Sequence, residues 1–496
     1  MKQLTLTACL CFSLAPAMAV DETVAPVSTP ATENVAAPAP ASPVEAPAIQ
    51  IPPPPAVVEC APAAPPAPPA ETRATKLRTA QQNLALPKVE LFRSTVKNTI
   101  PKKNIFARLM SSSSNPIDAD LLVEMHRFTE RFPDFPETAE VFHLIAQVHL
   151  RTDNYPAAAI DWLTLRAAYP DSPFSKEAAK QLQALAGDDL KKHAGTLKAM
   201  TAQIDKLKGD REERLAAMLG YLGGNTEKDF AGPIADACAS FLVSNQSWAQ
   251  EDVIEHAQAR QSVLLDAQIA LYHFDKMLAL YPASPLRADS MLSIGNVQRK
   301  NLHAYDQAAK SYAKLIGQFP DSAETKQAYE SLGAMYDEDM RDFPNAIKTY
   351  EAVVARYKDD PIVLRALRAM ASIQHNKSNQ SAKAIESYLK IADIFKGPEG
   401  LEALLAAERI AAFTTRDWKM AIDINNRIVA FSPQHEEAIK AQFKNADITE
   451  NELDDREAAK KLYAEFVAKY PNHTLTKDAN RRIDAINAAL NKSTSQ

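Results

Sequence analysis

The stretch Tyr305-Asp-Gln-Ala-Ala-Lys-Ser-Tyr-Ala-Lys-Leu-Ile-Gly-Gln-Phe-Pro320 decides how the rest of the chain is read. After Tyr305, the residues Ala308, Tyr312, Leu315 and Phe319 follow at offsets of 3, 7, 10 and 14, and Pro320 comes next. Steps of three and four put all five on one helical stripe. Proline ends the helix, because it has no N–H to donate and its ring clashes with the preceding turn. Ala308 is small enough to let a neighbouring helix come close.

Copies of this stretch recur along the chain. Phe343, Ala346, Tyr350, Val353 and Tyr357 lie 38 residues on, and Ala384, Tyr388, Ile391 and Phe395 another 38. Trp418, Ala421, Asn425, Ile428 and Pro433 follow at a step of 37, then Ala459, Tyr463, Phe466, Tyr470 and Pro471 at 38. Upstream stand Ala270, Phe274, Met277, Tyr281 and Pro282, and further back Tyr155, Ala158, Trp162, Leu165, Tyr169 and Pro170. Leu121, Met125, Phe128, Phe132 and Pro133 form the first copy. Such a period means stacked units, none of which can bury its apolar face alone. The positions expected to form the shared core are Ala158, Trp162, Ala270, Phe274, Ala308, Tyr312, Ala346, Tyr350, Ala384, Tyr388, Ala421, Ala459 and Tyr463.

This pattern resembles the tetratricopeptide repeat, a helix-turn-helix unit whose second helix carries an early alanine, an aromatic, an apolar residue and a closing proline. Leu332-Gly333 with Tyr336 matches the Leu-Gly-x-x-aromatic signature of the family's first helix, and Ile294-Gly295 matches it in part. The period here is 38 residues against about 34 in the family. One extra residue falls between the two helices of a unit and three fall between units. The Tyr-Pro-x-Ser ending at Tyr169, at Tyr281 and, with Phe319, at Ser322 resembles a bacterial-envelope subset. That subset includes the Tol-Pal-associated cell-division coordinator and the repeat lipoprotein of the outer-membrane β-barrel assembly machine. The resemblance implies an all-α, right-handed superhelical solenoid of about ten helix pairs.

Residues 1–19 read as a signal peptide, with Lys2, an apolar run from Leu4 to Leu14, and Ala17-Met18-Ala19 as the cleavage site. A lipoprotein reading through Cys9 leaves too short an apolar region before the cysteine. The mature chain is therefore expected in the periplasm, with no further membrane-spanning segment. Residues 20–72 form a Pro- and Ala-rich leader: Asp21 to Thr72 holds 15 of the 33 prolines, a composition that cannot pack a core and favours extended polyproline II. Between Arg73 and Arg108, nine basic residues face the single acid Glu90, a local charge of +8. Residues 73–118 are read as a basic connecting segment that contacts anionic lipid, peptidoglycan or an acidic partner, or folds back on its own repeats. Sparse aromatics there give no support to nucleic-acid stacking.

Repeats are expected over 119–182 and 263–473, with a capping helix and tail over 474–496. Between them, 183–262 reads as degenerate helical repeats, where Gly220-Tyr-Leu-Gly-Gly224 interrupts helix and Gly232-Pro233 breaks it again.

With 12 glycines in 496 residues, a phosphate-cradling α/β fold is disfavoured, and no nucleotide-binding glycine motif occurs. The ten histidines are dispersed without paired ligand spacing, so no metal, cofactor or catalytic set is expected. Of four cysteines, Cys9 and Cys11 leave with the signal, Cys238 is expected to be a buried small apolar residue, and Cys60 either is incidental or links two chains.

The family's first helices line a concave groove that takes peptides or helices. Carried onto this sequence, that places Asp289, Asn296, Arg299, Lys300, Gln327, Glu330, Asp337, Glu338, Arg365, Arg368, Ser372 and His375 toward the groove. The family's carboxylate clamp needs Lys and Asn on neighbouring first helices, and Glu330 stands where a base is required. The expected function is a non-catalytic scaffold for envelope proteins in outer-membrane assembly, cell-wall synthesis or division. Two alternatives stand beside it: a component of a motility, secretion or surface-polymer machine, and an accessory to a peptidoglycan-acting enzyme.

Overall fold

A computed structural model of the chain describes residues 73–99, 116–246 and 248–494. The signal peptide, the proline-rich leader, Cys60 and the basic residues Lys102, Lys103 and Arg108 lie outside the described residues. Helix runs through all the rest, with no strand among the described residues. The first hairpins are α1 (Arg73–Thr99) with α2 (Pro116–Arg131), α3 (Thr138–Arg151) with α4 (Tyr155–Ala168), and α5 (Pro173–Gly187) with α6 (Ala194–Ile204). Next come α7 (Arg211–Leu222) with α8 (Lys228–Ser244), α9 (Glu251–Leu265) with α10 (Ala267–Leu280), and α11 (Arg287–Lys300) with α12 (Tyr305–Gln318). The series continues with α13 (Ala323–Ala334) and α14 (Phe343–Arg356), α15 (Pro361–Asn376) and α16 (Ser381–Ile394), and α17 (Pro398–Arg409) and α18 (Trp418–Phe431). It closes with α19 (Glu436–Asn451), α20 (Arg456–Lys469) and a last helix α21 (Thr476–Thr494) that packs on α20. This is an all-α solenoid of stacked hairpins.

The repeated stripe is the core. Ala308, Tyr312, Leu315, Ala346, Ala384, Ala421, Ala459 and Tyr463 are fully buried, as are Ala158, Trp162, Ala270 and Phe274. Tyr350 is buried and Tyr388 half-buried. In α16 the neighbouring Ser387 is the buried residue instead, and its hydroxyl donates to Gln374 at 2.8 Å.

The Leu-Gly signature has a steric cause. A Cβ on Gly295 would lie 2.5 Å from the Tyr312 ring, and one on Gly333 would lie 2.6 Å from the Tyr350 ring. Tyr312 and Tyr350 therefore each lie in a notch that only glycine leaves on the first helix of the hairpin. The Tyr312 hydroxyl reaches past the notch to donate to Asn296 at 2.9 Å. Burial pushes the Tyr312 and Tyr350 phenols up to about 12.

The extra residue between the two helices is a left-handed one. His303, Arg341, Asn379, Arg416 and Asp454 all have φ between 51° and 54°, and they recur at the period of the repeat. In each turn the N–H of the following residue donates to the carbonyl six residues back: Ala304 to Gln298 at 2.8 Å, Asp342 to Tyr336 at 2.7 Å, Gln380 to Gln374 at 2.6 Å. Helix C-termini commonly close this way with glycine or asparagine, but here only Asn379 is of those types. The Tyr-Pro-x-Ser ending has a cause too: Ser172 and Ser322 cap α5 and α13, accepting from Phe174 and Thr325 at 3.2 Å each. Thr325 then donates to the Phe319 carbonyl at 2.6 Å, joining the end of one repeat to the start of the next.

Over Arg73–Thr99 the basic stretch is no bare connector: it is a helix that folds back on the repeats, packing on α2 and α3. Its Ala85, Val89, Phe92 and Val96 form a stripe buried against Leu121, Met125, Phe128, Val141 and Ile145. Gly232-Pro233 does not break α8 either. Pro233 lies near the helix start and costs one backbone bond, while Phe230, Ile234, Cys238 and Phe241 bury one face. Gly223 ends α7 where a Cβ would lie 2.4 Å from that of Ala257, so this glycine sets the approach of α7 to α9.

Replacing Tyr312 by Ala should cost about 3–5 kcal/mol in denaturant unfolding, by opening a cavity. Gly295→Ala should cost about 1–3 kcal/mol by pushing the ring out of its notch. In the opposite direction, Arg416→Gly should gain up to about 1 kcal/mol by relieving a left-handed arginine. Asn425 occupies the aromatic position of its repeat, fully buried and with both amide atoms unpaired among the described residues. Asn425→Leu should therefore raise stability by about 1–3 kcal/mol.

Candidate functional site

The twelve residues expected at the groove lie on three successive first helices and the turn after one of them. Asp289, Asn296, Arg299 and Lys300 are on α11, and Gln327 and Glu330 on α13. Asp337 and Glu338 fall in a π-helical turn, Met335–Asp339, that prolongs α13, and Arg365, Arg368, Ser372 and His375 are on α15. Helices α11 and α13 touch directly, so residues one repeat apart face each other.

Most of the charged ones are paired with each other or with a neighbouring repeat. Arg299 donates to Asp339 at 2.6 Å and to the Ser331 carbonyl at 3.0 Å, and reaches Glu338 at 3.4 Å. Lys377 holds Asp337 at 2.7 Å, and Arg365 holds Glu330. Arg368 turns the other way, to Glu402 on α17 at 3.0 Å, and Asp289 takes His256 on α9 at 2.8 Å. The ladder continues with Lys444 on α19 to Glu408 on α17 at 3.0 Å, and Arg482 on α21 to Asp447 and Glu450 at 3.5 Å. Partners stand 34 to 40 residues apart where they join α11 through α19.

Asn296 and His375 do not belong to an open groove surface. Asn296 accepts from Tyr312 of its own hairpin, and the His375 ring meets the Ser381 hydroxyl at 3.1 Å, so both serve the hairpin. Ser372 accepts from Asn376 at 3.2 Å, while Lys300 and Gln327 are exposed. Residues that sequence reasoning did not single out complete the surface: Asp339, Lys377, Glu402, Glu408 and Lys444. The available signal was opposite charge one repeat apart, as in Arg368 and Glu402.

The pairs differ in weight. Arg365 and Arg368 hold their carboxylates in water, where such pairs contribute about 0–1 kcal/mol each. Glu255 on α9 is the strongest case at the other extreme. It is 1% exposed and accepts from His273 at 3.0 Å and Lys276 at 2.8 Å, both on α10. Burial raises its carboxyl, but the bonds from His273 and Lys276 outweigh that and hold it below the usual range. Among the described residues, no group of three or more His, Cys, Asp or Glu is placed to hold a metal ion, and no helix is long and apolar enough to cross a membrane. Cys238 is buried, and that burial pushes its thiol up.

The fold is that of a tetratricopeptide-like superhelical solenoid, and the chain carries repeats of that family. The tetratricopeptide-repeat profile matches residues 289–322, which run from α11 through α12, and 440–473, from α19 through α20. No curated protein matches the chain. Similar solved structures include the C-terminal part of a tetratricopeptide-repeat protein from Cytophaga hutchinsonii, at 15% identity over 54% of this chain and 98% of that one, with a TM-score of 0.33. Others are yeast Tom70, at 14% identity over 84% and 97% with a TM-score of 0.22, and the Cut9–Hcn1 heterotetramer of the APC/C, at 14% identity over 84% and 97% with a TM-score of 0.23.

A depressed carboxyl stabilises the fold above the ordinary carboxylate range, near about pH 4.3, and that contribution is lost as pH falls through its lower folded-state value. Glu255→Gln should thus melt well below the native chain at pH 7. The gap between the two melting temperatures should close as pH is lowered below about 4.3.

Proposed function

We propose that this chain is an exported, non-catalytic scaffold whose first-helix face binds envelope proteins in the periplasm. The processes it serves are outer-membrane assembly, cell-wall synthesis or division. Repeats of this family act as protein-interaction scaffolds, which is the general part of the reading. The export signal over residues 1–19 and the Tyr-Pro-x-Ser ending support the envelope part.

One observation carries the assignment of the binding face. Arg365 and Arg368 project from one side of α15, each held by a single exposed carboxylate on a different neighbouring repeat. Exposed pairs of this kind exchange partners at a cost of about 0–1 kcal/mol. An acidic side chain of a partner can therefore take over either guanidinium, in the bidentate geometry that suits arginine and carboxylate.

Full-length protein carrying Arg365→Glu and Arg368→Glu should keep its stability to within about 0.5 kcal/mol per site and lose partners captured by cross-linking in cell envelopes. Retention of every partner would instead favour the reading in which exposed basic residues such as Lys76 and Arg78 on α1 contact lipid or glycan. Sequencing the N-terminus of the protein recovered from the periplasmic fraction should find Val20, and an intact Met1 would remove the export reading.

A further inference from the structure

The N-terminal third contains a cleft of about 740 Å³ that the repeat pattern did not announce. It exists because α4 packs against α7 and α8 as well as against its sequence neighbours, and α8 reaches back to α2. Its main walls, α2, α4 and α8, are second helices of their hairpins, so it is a different surface from the first-helix face described above. Leu122 and Val123 of α2, Leu215 and Met218 of α7, and Phe241 and Val243 of α8 give it an apolar lining. Val123 and Val243 are 48% and 62% exposed, an unusual concentration of apolar surface on one cleft.

Four carboxylates also line it, and they are unevenly satisfied. Asp161 has His149 at 2.6 Å, and Glu212 has Arg211. Among the described residues Glu130 has only the neutral Ser240 hydroxyl, at 2.9 Å. Asp236 has no hydrogen-bond or ion-pair partner among the described residues, and it stands one turn of α8 before Ser240. Water reaches Asp236 through the cleft, yet the protein packed around it raises its carboxyl, against the opposing pull of His126 and His149. Glu130 and Asp236 thus both line an apolar hollow, neither one ion-paired among the described residues, with His126 and His149 the basic groups nearest Asp236, and removal of water there without a counter-charge is costly. The volume falls in the range of about 300–1,000 Å³ typical of ligand sites.

We propose that this cleft docks a partner peptide in which a lysine or arginine is flanked by apolar side chains. The cation meets Asp236 and Glu130, and the apolar neighbours cover Val123, Phe241 and Val243. Charge complementarity selects this occupant: an acidic peptide would add a third unpaired charge, and a purely apolar one would strip water from two carboxylates.

Gly232 makes the test independent of folding. It lines the cleft, and a Cβ placed on it meets nothing within 4 Å, so Gly232→Leu fills the hollow while improving the helix. The probe is a short fluorescein-labelled peptide alternating leucine and lysine, titrated with the full-length protein by fluorescence polarisation. The native chain should bind it, Asp236→Asn should weaken it about tenfold, and Gly232→Leu should abolish binding with an unchanged or raised melting temperature. Glu351→Gln, an exposed carboxylate on α14, should leave binding as it was, and a leucine–glutamate peptide should not bind. Equal affinity across the native chain, Asp236→Asn and Gly232→Leu would overturn the proposal. So would displacement of the peptide by n-octylamine at equal concentration, which would make this a small-amine site. Tenfold tighter binding after Lys102, Lys103 and Arg108 are replaced by serine would overturn it too, since the occupant would then be this chain's own basic segment.

Discussion

At the centre of the stack two hairpins depend on one contact, an aromatic ring of the second helix lying in the notch left by a glycine of the first. Tyr312 over Gly295 and Tyr350 over Gly333 set how closely two helices of a hairpin approach. Since each hairpin packs mainly on the next, that distance is handed along the chain. Where ring and glycine do not meet, the repeat finds a different solution. Around Tyr388 a Ser387–Gln374 hydrogen bond occupies the interior, and at Asn425 a buried amide is left without partners.

Charge has a second role, in register. First helices of adjacent repeats meet side by side, and the Arg299, Arg365, Lys377 and Lys444 pairs tie each to its neighbour. Individually such pairs add little stability. A shift of one helix turn would part all of these pairs at once, so the ladder marks the correct register more than it strengthens it. The exposed members of that row are also the side chains most easily yielded to a partner.

The N-terminal third departs from simple stacking. There α4 is central, touching α3, α5, α6, α7 and α8. A helix buried on several sides needs apolar residues all round, and Ala157, Ala159, Ile160 and Leu163 are buried beside the stripe of Ala158, Trp162 and Leu165. Gln261 fills the place of a regular turn, donating to the carbonyls of Leu222, Gly223 and Asn225.

By itself the sequence determined the helical class, the period and the buried positions, because a stripe at steps of three and four has one consistent burial whatever its neighbours are. It also carried the stripe Ala85, Val89, Phe92 and Val96, although a run of basic residues masked it. What only the tertiary structure decided involves groups whose partners are distant in sequence. The left-handed His303, Arg341 and Arg416 carry no glycine to mark them, and they are held there by the closure of the hairpin. The ion-pair ladder and the cleft at Asp236 arise from side chains a repeat or more apart, and local propensity cannot encode which of many surface charges will meet once the hairpins have coiled.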